Sequence, residues 1–512
     1  MKPRIAIVTA MLLCTTLCAE PPVSGRPVPN LSYLDTIMTG FMDEPSRTIS
    51  AGVLGVSRGG KVVFLHAYGN LSPGVNLPET AIFRLASVVK PITGAAIQNF
   101  ARNGGWAPPA PTPTVPAPTA FQRPAFNLSG NGGLLNVTLP AGKPLGDARY
   151  AQITVGHLLD HVGGWDRSQP WPGDIPIDRV RNAGIEMNEP DAVPTRGQLV
   201  GWALQYALDF APGAASYTPT GGTALTPGAG TTYSNFGYLI LGEILEAIAP
   251  GGYVGYLRDN IMSAANWIPS TDWGPATTLQ VQNNPREPRY ESTEGTLDSV
   301  FDYTPPIEQL PAEYGGDYHI ETMLAHGGLI ASAQAMLRFG SLYRVAYVTQ
   351  GAGATQSNNI GVAVAATGFP AGSNPAHTGS LPGASTILRQ RGRQPGAADD
   401  EVIFIAFNKR SGGAADWASD ACNLVTNYLD IVSAAETWPT EKCDGFWVTL
   451  GVENATAGFG GYHSRYQGFQ SALNRVTNGS DLRLQTGTQH WTGTISKRLR
   501  IDAPEGAVTL GL

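Results

Sequence analysis

The sequence predicts a mixed α+β protein, and three features predict it. Residues 50–69 read as a β-hairpin, two apolar runs joined by a Gly-rich turn. Residues 377–388 and 401–407 make a second pair of strands, and helices are read from Ser87, after Asn235 and over 416–432. With 62 glycines and 40 prolines in 512 residues, many loops should surround a packed core, in place of a helical bundle. The length accommodates one large domain with an appendage, or two to three domains. A formal charge of -7 with 14% charged residues leaves no basic footprint for nucleic acid. The apolar content excludes general disorder.

The first residues read as an export signal over 1–19. Lys2 and Arg4 supply the positive start, residues 5–17 the apolar run, and Ala19 the small residue before cleavage. The run is too short for a membrane span, so the expected location is secreted or periplasmic. Cleavage leaves Cys422 and Cys443, and two cysteines in an exported chain predict one disulfide. Sequons at Asn30, Asn70, Asn127, Asn136, Asn454 and Asn478 are glycosylation candidates in a eukaryotic host.

Within the hairpin, Gly55-x-Ser57-x-Gly59 matches the nucleophile-elbow pattern. An elbow needs a helix after the serine, and a β-branched run follows instead, so Ser57 is expected in a turn. The next stretch is more informative. Ser87 and Lys90 stand three apart, which puts hydroxyl and amine on one helical face. A serine hydroxyl attacks only when a neighbour eases loss of its proton. The chain has seven lysines, and Lys90 alone follows a serine at this spacing. The proline-rich run over 107–124 cannot be a helix or central strand and reads as a surface excursion, with order recovering at Ile153. His157 and His161, with Asp160, superficially suggest a helical metal pair, but no third ligand follows at a suggestive spacing.

Tyr233-Ser234-Asn235 lies in the loop feeding a helix. A tyrosine there accepts a proton only if its pKa falls well below about 10, which a nearby Lys90 ammonium would favour. The bland alternative is a capping turn with Tyr233 packed. The third patch is His377-Thr378-Gly379-Ser380, entering the second strand pair.

In that order, Ser87-x-x-Lys90, Tyr233-x-Asn235 and His377-Thr378-Gly379 resemble the serine β-lactamase and penicillin-binding-protein superfamily, in its class C-like branch of esterases and D-peptidases. Residues 153–165 and 326–332 are similar to further family segments, and the resemblance spans roughly 30–435. It departs at His377, where β-lactamases carry lysine. The resemblance implies an antiparallel sheet flanked by helices with a helical lobe, and a catalytic domain over 20–440 with a proline-rich insertion at 107–150. It implies Ser87 as nucleophile, Lys90 as the amine that tunes it, and Tyr233 as general base. Asn235 would orient substrate and Lys90, His377, Thr378, Gly379 and Ser380 would line the substrate site, and the Ser87 and Ser380 amides would form the oxyanion hole. No metal or organic cofactor is implied. A neutral His377 would donate one hydrogen bond to a carbonyl or hydroxyl, without the charge assistance a lysine offers.

From about residue 441 the chain changes character. A strand from Phe446, a helix over 462–475 and strands from Asp481 predict a small β-rich accessory domain over 441–512. Tyr466, Phe469, Leu482 and Leu484 make it weakly similar to one repeat of fungal polyglycine hydrolases. Three functions compete: a serine hydrolase of small-molecule esters or amides, a peptidase on glycine-rich or D-amino-acid peptides, and a non-catalytic receptor of the same fold. The oligomeric state stays open.

Overall fold

The computed structural model describes residues 21–106, 120–128, 130–166, 174, 180–187, 193–214, 233–316, 318–345, 360–361, 363–364, 374–392, 400–413, 415–435 and 437–511. The export signal expected over 1–19 and residues 107–119 of the proline-rich run lie outside them. Ala51–Arg58 and Lys61–Ser72 pair antiparallel around Gly59 and Gly60, whose φ of 55° and 76° is the left-handed geometry of a type I′ hairpin. Ser57 sits near the end of the first strand, beside a register shift, and is buried. It lies in the strand, not the turn, and no helix follows it, so it forms no elbow.

Glu401–Phe407, Ala384–Arg391 and Ala376–Leu381 extend the sheet beyond Ala51–Arg58, and Val23–Ser24 closes the opposite edge. Every neighbour is antiparallel. Layers cover both faces of the central strands, so they read as near-continuous apolar runs instead of alternating ones. On one face lie Tyr33–Met42, whose Phe41 stacks on Phe407 at 5.8 Å, and Trp417–Ala434, capped by Asp416. Ala333–Leu342 covers the other face. There Leu337 fills the space at Gly55, and a Cβ at Gly340 would meet Val402 at 2.6 Å. The buried Arg391 keeps its charge paired, with Glu401 at 2.8 Å and with Asp430 of the helix Trp417–Ala434.

A smaller sheet of Ile82–Arg84, Leu329–Ser332 and Trp273–Pro275 carries the chain toward Ser87. Between its first and last strands run the helices of the expected lobe, among them Val155–Leu159, Arg196–Ala203 and Asn235–Ile248. Order returns well before Ile153: Ala125, Phe126 and Tyr150 are fully buried, so this part of the insertion packs instead of looping over the surface. No helix among the described residues is long and apolar enough to cross a membrane.

Residues after 445 build their own apolar cluster around Phe446, Val448, Phe469 and Leu482. Their four-stranded sheet is parallel, and its helix is only Phe469–Arg475. The helix expected from 462 starts late because Tyr466 pairs with Val448 and Gly468 turns at φ 97°. The predicted disulfide is absent: Cys422 and Cys443 are both free and buried. Each is tied to a different element, Cys422 within Trp417–Ala434 beside Thr426, and Cys443 against the Val63 carbonyl at 3.4 Å. Burial raises both thiol pKa values, that of Cys443 to about 12.

This segment docks where Thr80 donates to the Phe459 carbonyl and the buried Glu79 accepts the Tyr462 N–H. Burial pushes the Glu79 carboxyl above its ordinary 4.5, against the lowering effect of that hydrogen bond. The folded state therefore holds this proton more tightly than the unfolded chain does. Glu79's contribution to stability is complete below about pH 4.5 and is lost as pH rises through the raised value. Glu79→Gln should flatten the melting temperature over that interval. Parallel Tm-against-pH curves for the two proteins would contradict this.

Candidate active site

Ser87 lies in the tight turn Ala86–Val88 that opens the helix Val89–Arg102. Ala86, just before it, has a φ of 47°, sparsely populated for a residue with a Cβ and therefore stored strain at a site that orients a side chain. The turn is braced by two neighbouring strands: Thr386 Oγ1, in Ala384–Arg391, donates to the Leu85 carbonyl at 2.7 Å, and Gly379, in Ala376–Leu381, runs against it. A Cβ on Gly379 would stand 2.4 Å from that carbonyl oxygen and 2.9 Å from the Ser87 nitrogen. Glycine at 379 is thus what lets the strand run against the serine's backbone.

Lys90 is fully buried. Its ammonium donates to Ser87 Oγ at 3.1 Å, Asn235 Oδ1 at 2.7 Å and the His326 carbonyl at 3.1 Å. It also lies 4.5 Å from the centre of the Tyr233 ring. Three acceptors occupy its three N–H bonds, so the nitrogen presents no lone pair to Ser87 in this arrangement. Tyr233 is half-buried, one residue before the cap of Asn235–Ile248. Ser234 is that cap, its Oγ accepting the Gly237 N–H at 2.9 Å. Asp174 accepts the Ser234 hydroxyl at 2.8 Å and the Asn235 and Phe236 N–H groups at 2.7 and 3.0 Å.

His377, Thr378, Gly379 and Ser380 all lie in the strand Ala376–Leu381. Ser380 is exposed, while the Thr378 side chain is hydrogen-bonded to the Asp416 carboxyl, which caps the helix Trp417–Ala434. His377 keeps part of its surface open. Its ring is nevertheless packed densely enough that burial first, and the Lys90 ammonium second, hold its pKa down to about 4. The neutral ring's Nδ1 is 3.0 Å from the Thr378 carbonyl, an acceptor only, so the proton sits on Nδ1. The remaining nitrogen, Nε2, is an acceptor, where the sequence suggested a donor.

Sequence reasoning missed four partners: the His326 carbonyl, Asp174, the strained Ala86, and His161. The carbonyl and the Ala86 dihedral belong to the backbone and leave no sequence signal. Asp174 stands about sixty residues from the helix it caps. His157 and His161 turn to separate tasks: His157 Nδ1 accepts the Thr154 N–H, while the His161 ring stacks on Tyr233. Among the described residues no group of three His, Cys, Asp or Glu stands together as a metal site.

The beta-lactamase family model matches residues 34–421, more than half of the chain, and so takes in all three patches. The chain belongs to the beta-lactamase family. Its antiparallel sheet with flanking helices is the fold of that family and of the penicillin-binding proteins. Solved structures similar to this beta-lactamase-family chain include a D-stereospecific amidohydrolase from Streptomyces sp., at 14% identity, 78% coverage of this chain, 98% of the other and a TM-score of 0.47. A penicillin binding protein from Bacillus halodurans is similar at 15% identity, with 77% and 99% coverage and a TM-score of 0.46. The D-amino acid amidase from Ochrobactrum anthropi SV3, complexed with D-phenylalanine, stands at 15% identity, 79% and 99% coverage and a TM-score of 0.47.

Proposed function

We propose that the protein is an exported serine hydrolase that cleaves ester or amide bonds through an acyl-enzyme on Ser87. One observation carries this reading: a single buried ammonium, Lys90, bonds Ser87 Oγ and Asn235 Oδ1 and lies against the ring of Tyr233. In the proposed cycle the Ser87 oxygen attacks the substrate carbonyl carbon while its proton passes to the Tyr233 phenolate. Lys90 favours both anions, the phenolate before attack and the developing alkoxide during it. The Ser87 and Ser380 amides hold the oxyanion. The tetrahedral adduct collapses with loss of the alcohol or amine, which takes the proton from Tyr233. Tyr233 then takes a proton from water as the water attacks the acyl ester, and gives that proton to the departing Ser87 oxygen, which releases the acid and restores the serine hydroxyl.

Asn235, His377, Thr378 and Ser380 are proposed to contact substrate. A neutral imidazole at 377 favours neutral esters, or amides and peptides bearing an N–H or O–H donor there. We further propose that residues 1–19 direct export, that 20–440 form the catalytic domain and that 441–512 form an accessory one. A fluorophosphonate probe tests the chemistry directly. Labelling of the intact protein should disappear in Ser87→Ala and persist in Ser57→Ala. Folded wild-type protein that takes no label would instead be a receptor that kept the fold without turnover.

A further inference from the structure

Tyr233 precedes the helix that follows it, so helical hydrogen bonding does not fix its ring. Besides the Lys90 ammonium over the ring, His161 meets it face to face. The two rings stack with centroids 4.6 Å apart and planes 28° from parallel, and His161 stacks likewise on Tyr238 at 5.0 Å and 30°. His161 is 3% exposed, and its backbone adopts a φ of 60°, in the left-handed region that a residue with a side chain enters only when its surroundings hold it there.

Its Nδ1 lies 3.0 Å from the Ser234 backbone nitrogen and 3.2 Å from the Ser234 carbonyl oxygen. Both cannot be hydrogen bonds of one neutral tautomer. As the cap of its helix, Ser234 offers its carbonyl to the first intrahelical bond, whereas its N–H precedes the helix and needs an acceptor elsewhere. Nδ1 is therefore the acceptor, and the ring proton is on Nε2. One imidazole thus grips the backbone between Tyr233 and Asn235 with its edge and supports the Tyr233 ring with its face.

We propose that His161 is a positioning residue for Tyr233, holding the phenol at the Ser87–Lys90 pair from a strained backbone. This deepens the proposed mechanism and rests on the assignment of Tyr233 as base. A purely structural histidine would affect folding, and would affect catalysis only in proportion. A positioning one acts through Tyr233, so its loss should lower the rate of the chemical step and should matter only while the tyrosine is there.

His161→Asn separates the two roles. Asparagine keeps an acceptor near Nδ1 and tolerates a positive φ, so the fold survives, but the stacked face is gone. With a neutral p-nitrophenyl ester, kcat should fall by about 10- to 100-fold with KM within about twofold, the loss expected of a misplaced catalytic group. Tm should stay within a few degrees of wild type. His161→Phe keeps a ring but strands the Ser234 N–H; it should lose more Tm than asparagine does and retain more kcat.

The decisive measurement is the rate of fluorophosphonate labelling in a double-mutant cycle with Tyr233→Phe. His161→Asn should slow labelling when Tyr233 is present and change it by less than about twofold when it is not. Equal losses in both backgrounds, or wild-type kcat in His161→Asn, would overturn the proposal. A Tyr233→Phe variant that labels at the wild-type rate would instead remove the base assignment itself, a distinct outcome.

Discussion

Ser87→Ala is expected to lower turnover of a neutral ester by roughly 10⁴- to 10⁶-fold, the scale seen when a nucleophile that acts as part of a unit is removed. Tyr233→Phe should cost about 10²- to 10⁴-fold, the range of a positioned general base. Combining them should be little worse than Ser87→Ala alone, because without the nucleophile the base has no proton to take. Lys90→Ala should lose activity too, but for a compound reason. Its removal strands Asn235 Oδ1 and the His326 carbonyl, both acceptors of its ammonium in a buried setting. Each stranded group costs about 1–3 kcal/mol, so this variant should also melt earlier. Steady-state kinetics beside thermal melts separates the three; a Tyr233→Phe enzyme with wild-type kcat would remove the proposed base.

The second large effect concerns selectivity. Nitrocefin turnover should be weak beside that of a neutral ester, because no permanent cation stands at position 377 to pair with the antibiotic's carboxylate. His377, with its pKa held to about 4, stays neutral from pH 5 upward, so acidifying a reaction to pH 5.5 does not supply the missing charge. Its Nε2 lone pair faces an anion unfavourably and an N–H or O–H favourably. His377→Lys should raise the nitrocefin-to-ester ratio of kcat/KM about tenfold or more, because a charge-assisted hydrogen bond worth about 1.5–3 kcal/mol would replace a lone pair that faces the carboxylate unfavourably. The gain is limited because the new ammonium would meet the field of Lys90 that already depresses the histidine. Nitrocefin hydrolysis by the wild type rivalling its best ester would falsify this account.

The parts of the molecule legible in the sequence are those governed by short-range rules. Gly59-Gly60 between two apolar runs specified a hairpin. The three-residue step from Ser87 to Lys90 specified a shared face, and the Asn235 helix announced itself by period. The structure brings Ser87, Lys90, Tyr233 and Asn235 together, with the His377 strand alongside. What stayed hidden depends on backbone atoms or on distance along the chain. Asp174 caps a helix sixty-one residues away. The His326 carbonyl completes the ammonium's shell, and no side-chain pattern marks a carbonyl. His161 looked like half of a metal pair because spacing shows which face a side chain shares, while stacking on Tyr233 depends on how the turn after Val155–Leu159 meets the residues before Asn235–Ile248. The disulfide expectation failed in the same way: cysteine counting knows nothing of which elements the thiols are buried in. The late start of the helix at Phe469 reflects a long-range pairing, Tyr466 with Val448, overriding local propensity.

The ammonium of Lys90 has a consequence for how the protein comes into being. Its partners Asn235 and His326 are 145 and 236 residues away in sequence. Closing loops of that size is entropically costly and comes late, so contacts of such high order form only as the whole chain condenses. Until then Ser87 is an ordinary alcohol on a nascent helix. A half-made chain carries the serine without these partners, so the proposed hydrolytic centre would come into existence only together with the finished fold.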